Sequence, residues 1–185
     1  MVINKKTLFL ITTEIKNTWK NKNKNKIFLG EWCFQSHQNN NRNILKYHWK
    51  NKNIFKKDYE YINFFYEKIL ENLTNKLNKI HKINLSKRSW RIIIGPWLTL
   101  FTQVLFDRFK ALESLNFSDY NYETIAITYD KYNFLSEDYS EFKYFVQSSF
   151  FNHYLYYIIL NYYEKINFII IKNNEKSKIK PKKNN

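Results

Sequence analysis

His48, between Tyr47 and Trp49 and ahead of the basic Lys50-Asn51-Lys52 loop, has the side chain best suited to proton transfer in this 185-residue sequence. Imidazole titrates near neutrality and can take a proton from an acceptor hydroxyl. The competing role is a histidine hydrogen-bonded beneath a loop. Glu31, in Gly30-Glu31-Trp32, is the alternative base, although a carboxylate at a strand end also serves as a helix cap or ion-pair partner. His153 lies among Phe150, Phe151, Tyr154 and Tyr156, surroundings that suit a satisfied core histidine before a catalytic one. Arg91 and Arg108 offer bidentate forks for a phosphate or carboxylate, and either could instead pair internally with Asp107. Trp32, Trp49, Trp90 and Trp97 offer flat apolar faces to sugar rings, and they are also large core residues.

Composition marks some of these positions. The chain is dominated by Lys, Asn, Ile, Phe and Tyr, yet the window from Arg88 to Arg108 holds one of two glycines, one of two prolines, three of four arginines and two of five tryptophans. Lys makes up 27 of the 31 basic residues, so an Arg retained against that drift suggests a need for the planar guanidinium. The other glycine, Gly30, sits in Phe28-Leu29-Gly30-Glu31-Trp32-Cys33, where it offers a close backbone approach or a positive φ. Two rich islands in a poor background suggest one site, with Gly30, Trp32, His48, Trp49, Arg91 and Trp97 converging on one cleft.

The bulk numbers exclude several classes. At 44% hydrophobic and 19% aromatic the chain can build a core. One cysteine, Cys33, excludes an internal disulfide and a multi-thiolate metal site, and suits a reducing, cytoplasmic compartment; its own reading is a small buried hydrophobe. The net charge of +15 is uneven: residues 1–57 carry 13 basic and 2 acidic side chains, residues 58–171 carry 12 and 13, and residues 172–185 carry 6 and 1. A neutral middle argues against a nucleic-acid groove. The basic ends read as solvated loops and a disordered tail over 172–185, able to give weak, salt-sensitive contact with polyanions or an anionic membrane face. No phosphate loop, zinc spacing or nucleophile elbow is present, so neither cofactor nor metal is expected. The run Ile92–Phe106 is short for a membrane span and is interrupted by Gly95-Pro96.

The elements that would position these groups follow from periodicity. Leu8–Thr12 and Lys26–Leu29 are short apolar runs that suit neighbouring parallel strands buried on both faces, with a weaker strand at Asn43–Tyr47. Phe55, Tyr59, Ile62, Tyr66, Ile69, Leu73, Leu77 and Ile80 mark a long amphipathic helix. Residues 87–115 read as helical with a break at Gly95, where Pro96 would open a new helix. Glu123–Tyr129 alternates as a strand, 139–163 gives one or two aromatic helices, and Ile166–Ile171 a last strand. Strands interleaved with long helices predict a three-layer, Rossmann-like α/β domain over residues 1–171. Thr12, Thr13, Gly30, Trp32, Tyr47 and His48 then fall at strand ends, where such sheets bind ligands.

Six ordered motifs carry a resemblance: Phe9-Leu10-Ile11-Thr12-Thr13, Phe28-Leu29-Gly30-Glu31-Trp32-Cys33, Tyr47-His48-Trp49, Trp90-Arg91-Ile92-Ile93-Ile94-Gly95-Pro96-Trp97, Leu105-Phe106-Asp107-Arg108 and Asn152-His153-Tyr154. From about Leu8 to Tyr163 the chain resembles the amino-terminal part of a transferase family first described from leptospiral O-antigen loci. The resemblance implies a role in bacterial surface-polysaccharide synthesis and a longer protein whose later part is similar to glycosyltransferases with two Rossmann domains. There the carboxyl-terminal domain holds the nucleotide-sugar donor and the amino-terminal domain a carbohydrate or lipid-linked acceptor. This chain would then be an acceptor half without its donor domain, cytoplasmic or peripheral at the inner membrane. Thr12, Thr13, Gly30, Trp32, Tyr47, Trp49, Arg91, Gly95, Trp97, Arg108, Asn152 and His153 would line the substrate site, with His48 or Glu31 as base. A non-catalytic basic interaction or nucleic-acid-binding protein, or a decayed gene fragment, is the competing reading.

Overall fold

The computed structural model describes residues 5–19, 25–34, 43–129 and 131–172. They form two compact units, one of residues 1–47 with 108–185 and one of residues 48–107. The tail from residue 173 and most of the Lys/Asn repeat at 20–26, expected as solvated segments, lie outside the described residues.

The first unit is built on a parallel sheet of β1 (Lys6–Ile11), β2 (Lys26–Phe28), β3 (Tyr120–Thr128) and β4 (Ile166–Lys172), in the order β2-β1-β3-β4. The two amino-terminal runs are indeed parallel neighbours, with Phe9 opposite Lys26 and Ile11 opposite Phe28. β3 pairs with β1 through Lys6 and Tyr120, and with β4 through Tyr122 and Ile166. Leu8–Ile11 and Thr124–Ile127 are buried without interruption, which is why they read as apolar runs rather than an alternation. The expected strand at Asn43–Tyr47 is a single bridge, Phe28 to Ile44, closed by bonds from Phe28 N to Asn43 O (2.9 Å) and from Leu45 N to Phe28 O (2.8 Å). Phe28 ends β2, so no ladder follows. α3 (Tyr139–Gln147) and α4 (Ser149–Tyr162) complete the unit, which is a small Rossmann-like α/β fold.

The second unit is dominated by α1 (Lys52–His81) and most of α2 (Lys87–Glu113). Asn51 caps α1 by accepting from Asn53 N and Ile54 N, and Lys82 ends it in the left-handed region at φ 54°. Asn78 ties the turn together: its amide donates to Leu85 O (2.9 Å) and its carbonyl accepts from Leu85 N (3.0 Å) and Trp90 Nε1 (2.8 Å). Leu70, Trp90 and Leu98 form the buried seam, flanked by Tyr66, Leu73, Leu77, Ile94 and Trp97.

α2 corrects the expected break, because the helix runs through Gly95-Pro96. Pro96 is exposed, so the carbonyl it leaves without a helix partner falls on the side where water can take it. Apolar residues on both sides of the proline, Trp90, Ile94, Trp97 and Leu98, hold the helix onto α1. Gly95 serves that contact: a Cβ there would lie 3.2 Å from Tyr66 Oη.

Candidate functional site

In the sheet unit the chain goes from β1 to β2 on one side and to β3 on the other. The order therefore reverses between β1 and β3, and beyond their carboxyl ends is where open α/β sheets take ligands. Three residues converge there. His153 of α4 is 1% exposed; its Nδ1 lies 3.3 Å from both the Thr12 and Thr13 hydroxyls, and its Nε2 accepts from Ile127 N at 2.9 Å. An imidazole whose Nε2 receives a backbone N–H is neutral and carries its proton on Nδ1. Burial pushes its pKa down from 6.5 to about 4. The basic lone pair is therefore occupied, and His153 clamps the ends of β1 and β3 together.

Around this clamp the other candidates hold one another. Trp32 Nε1 donates to Thr12 O (3.1 Å) and Trp19 Nε1 to Thr13 O (2.9 Å). Gly30 has extended backbone, φ 179°, that any residue can adopt, so its role is close approach and no positive φ is involved. A Cβ on it would lie 2.2 Å from the Trp32 ring. The Arg108 guanidinium sits 5.3 Å from the Trp32 ring centre, and its Nε donates to Asn152 Oδ1 at 2.8 Å. The Asn152 amide donates to Val146 O and Ser148 O, and Tyr47 meets Trp32 edge to face at 6.4 Å. Glu14 accepts from Ser149 Oγ at 2.7 Å. Glu31 is exposed at the start of a short 3-10 turn. Cys33 is fully buried, donates to Ile11 O at 3.4 Å and has its thiol pushed up to about 12 by burial, as befits a small buried hydrophobe. A groove of about 590 Å³, bordered by Lys6, Lys26, Asn116 and Tyr120, opens at the opposite, amino ends of the strands.

The helical unit begins and ends on a second pair. His48 Nε2 lies 3.3 Å from Asp107 Oδ1, and the two side chains are 5% and 9% exposed. His48 also packs edge to face on Trp49 at 4.8 Å, while Trp49 Nε1 donates to the buried Asp58 Oδ2 at 3.0 Å. A carboxylate this close to one imidazole nitrogen can fix the orientation of the ring.

Arg91, Gly95 and Trp97 lie elsewhere in this unit. Arg91 holds the exposed Glu67 with Nη2 at 2.7 and 2.6 Å from its two oxygens, and Lys87 adds a contact at 2.9 Å. Hydrogen bonding from Lys87 lowers the Glu67 pKa most; burial works against it, and the charges of Arg91 and Lys87 add to the lowering. Trp97 stacks on Phe101 at 5.3 Å. Arg91 precedes Asp107 by sixteen residues on one helix and Trp97 by ten, about 24 Å and about 15 Å along the axis.

The structure thus brings together Thr12, Thr13, Gly30, Trp32, Tyr47, Arg108, Asn152 and His153 in the sheet unit, and His48 with Trp49 in the helical one. Arg91, Gly95 and Trp97 serve the α1–α2 contact well away from His48. Sequence reasoning cast Asp107 only as an arginine partner. The signal for more was available, since Asp107 is the first acidic residue after Glu71. Ser149 and Glu14 gave no signal. Among the described residues no group of three or more His, Cys, Asp or Glu could hold a metal ion.

The model of the LIC12162 family transferases matches residues 8–185, and the chain belongs to that family. No curated protein and no solved structure matches it.

Proposed function

We propose that this LIC12162-family transferase moves a glycosyl group onto an acceptor hydroxyl in the synthesis of a bacterial surface polysaccharide, with His48 as the general base. The observation that carries the reading is the buried His48–Asp107 pair. In sugar transfer the acceptor oxygen becomes nucleophilic as its proton leaves, and an imidazole beside a carboxylate is a group that can receive that proton. Glu31, exposed and with no such partner among the described residues, is the weaker base.

The carboxyl edge of the sheet offers, in this reading, a carbohydrate-contacting surface of the sheet unit taken by itself. The clamp of His153 on Thr12, Thr13 and Ile127 fixes that edge, and Arg108 supplies positive charge. The donor's diphosphate needs its own cradle as charge develops on the leaving group. Both glycines of the chain are committed to aromatic neighbours, Gly30 to Trp32 and Gly95 to Tyr66, which supports a separate donor-binding domain as the catalytic partner.

The test is transfer from a panel of nucleotide sugars, read as nucleoside diphosphate release with and without acceptor, in a protein that carries both domains. His48→Asn should lower kcat by on the order of 10²- to 10⁴-fold with little change in acceptor affinity. Asp107→Asn should lower kcat less than His48→Asn. An unchanged kcat in His48→Asn refutes the assignment of the base, and turnover by residues 1–185 alone refutes the need for a donor domain.

A further inference from the structure

The turn between α1 and α2 combines cations with exposed aliphatic side chains. From Asn72 to Phe106 the chain carries six Lys and Arg residues and no Asp or Glu, so this end of the hairpin has no acidic residue of its own. Lys87 and Arg91 are held by Glu67, one helical stretch earlier. Lys76, Lys79, Lys82 and Arg88 are exposed and make no ion pair with a described residue. Among them stand large aliphatic side chains in solvent: Ile80 is 70% exposed, Ile83 43%, Ile92 74% and Ile93 59%. Lys82 to Ser86 is all that separates the helices, and Ile93 is about 9 Å along α2 from its start, so these residues share one end of the hairpin.

We propose that this end of the α1–α2 hairpin is a docking surface for an anionic lipid bilayer. Exposed isoleucines interleaved with cations are the pairing an interfacial helix uses, the aliphatic groups entering the acyl boundary and the lysines reaching back to the headgroups. α2 is long and apolar enough to cross a membrane, and 22% of its most apolar window is buried inside the protein. Its Trp90 and Leu98 pack with Leu70 of α1. α1 carries ten Asp, Glu and Lys residues in its thirty positions, which bars it from hydrocarbon, so the hairpin lies on the surface and does not span it. Nucleic acid would meet the same cations, but isoleucine offers a base neither a stacking face nor a hydrogen bond. The docking is independent of the reaction proposed above, and no part of its test needs turnover.

The experiment is co-sedimentation of the full chain with vesicles of equal parts phosphatidylcholine and phosphatidylglycerol, against phosphatidylcholine alone, at low salt. A cation near an anionic surface is worth about fivefold in partition. The triple variant Lys79→Gln, Lys82→Gln, Arg88→Gln should therefore lose on the order of 100-fold. Ile80→Ser with Ile92→Ser, both at exposed positions and checked for folding by circular dichroism, should lose about tenfold with no change in charge. The same charge removed from the sheet unit, by Lys6→Gln, Lys143→Gln and Lys172→Gln, should change partition far less. Equal losses from the two triple variants would reduce the effect to net charge and overturn the proposal. Full binding by the isoleucine variant would also overturn it, as would RNA that displaces vesicles and binds the isoleucine variant undiminished.

Discussion

Acidification should weaken the fold through His153 in a narrow window. In the folded chain its imidazole is buried, neutral and engaged at Nε2 by Ile127 N–H, with a pKa lowered from 6.5 to about 4. The unfolded chain therefore binds the proton first as pH falls. Stability from this residue is fully present above about pH 6.5 and is lost as pH drops toward 4, with no further loss below. The whole difference is worth about 3 kcal/mol, a large share of the stability of a small domain. The assay is urea unfolding at fixed ionic strength, followed by circular dichroism at pH 7, 6, 5 and 4, for the parent and for His153→Asn. Asparagine removes the titration and leaves the carboxylates in place, so the parent-minus-variant difference isolates the imidazole. That difference should shrink by about 3 kcal/mol from pH 7 to pH 4. A flat difference, or an imidazole resonance of His153 titrating near 6.5, would refute the buried neutral clamp.

Three further outcomes follow from single contacts. Gly30→Ala places a Cβ where the Trp32 ring now lies, which should displace the indole, break its bond to Thr12 O and cost about 2 kcal/mol by urea unfolding, with a change in tryptophan emission. Lys82→Gly relieves the left-handed residue at the end of α1 and should raise stability by about 0.5 to 1 kcal/mol in the same assay. Cys33, buried with its thiol pushed up to about 12, should stay unreactive toward an aromatic disulfide reagent at neutral pH until the chain unfolds, and fast labelling of the native protein would contradict its position.

The sheet was legible because parallel strands buried on both faces leave a signature in single residues. Leu8–Ile11 and Ile27–Phe28 are apolar without alternation, and both proved to be neighbouring strands. The long helix was legible from its repeat for the same reason, since four of the positions that recur, Tyr66, Ile69, Leu73 and Leu77, pack on the seam of Leu70, Trp90 and Leu98. Two readings failed where local propensity met tertiary contact. Gly95-Pro96 is a break in any isolated peptide, but the residues on either side of it are pinned to α1, and the helix continues. The run Asn43–Tyr47 looks like a strand and finds a partner only at Phe28, the last residue of β2.

The site was legible in part, and the reason is general. A residue type that resists compositional drift does so because something needs its shape, and that something can be another part of the same chain. Gly30, Trp32, Arg108, Asn152 and His153 were singled out as binders of a substrate, and each turned out to have a neighbour inside the sheet unit that accounts for it. Arg91 holds Glu67, an exposed carboxylate twenty-four residues away, which no spacing rule would pair. His48 differs from these. Its ring faces a buried acid that stands alone at the end of an acid-free stretch of chain, and burying a carboxylate beside an imidazole is an expensive way to hold a helix end when an apolar pair would do it. The strand-end contacts hold their network in place within the sheet unit. Under the proposed role, loss of chemistry and loss of stability should separate at His48.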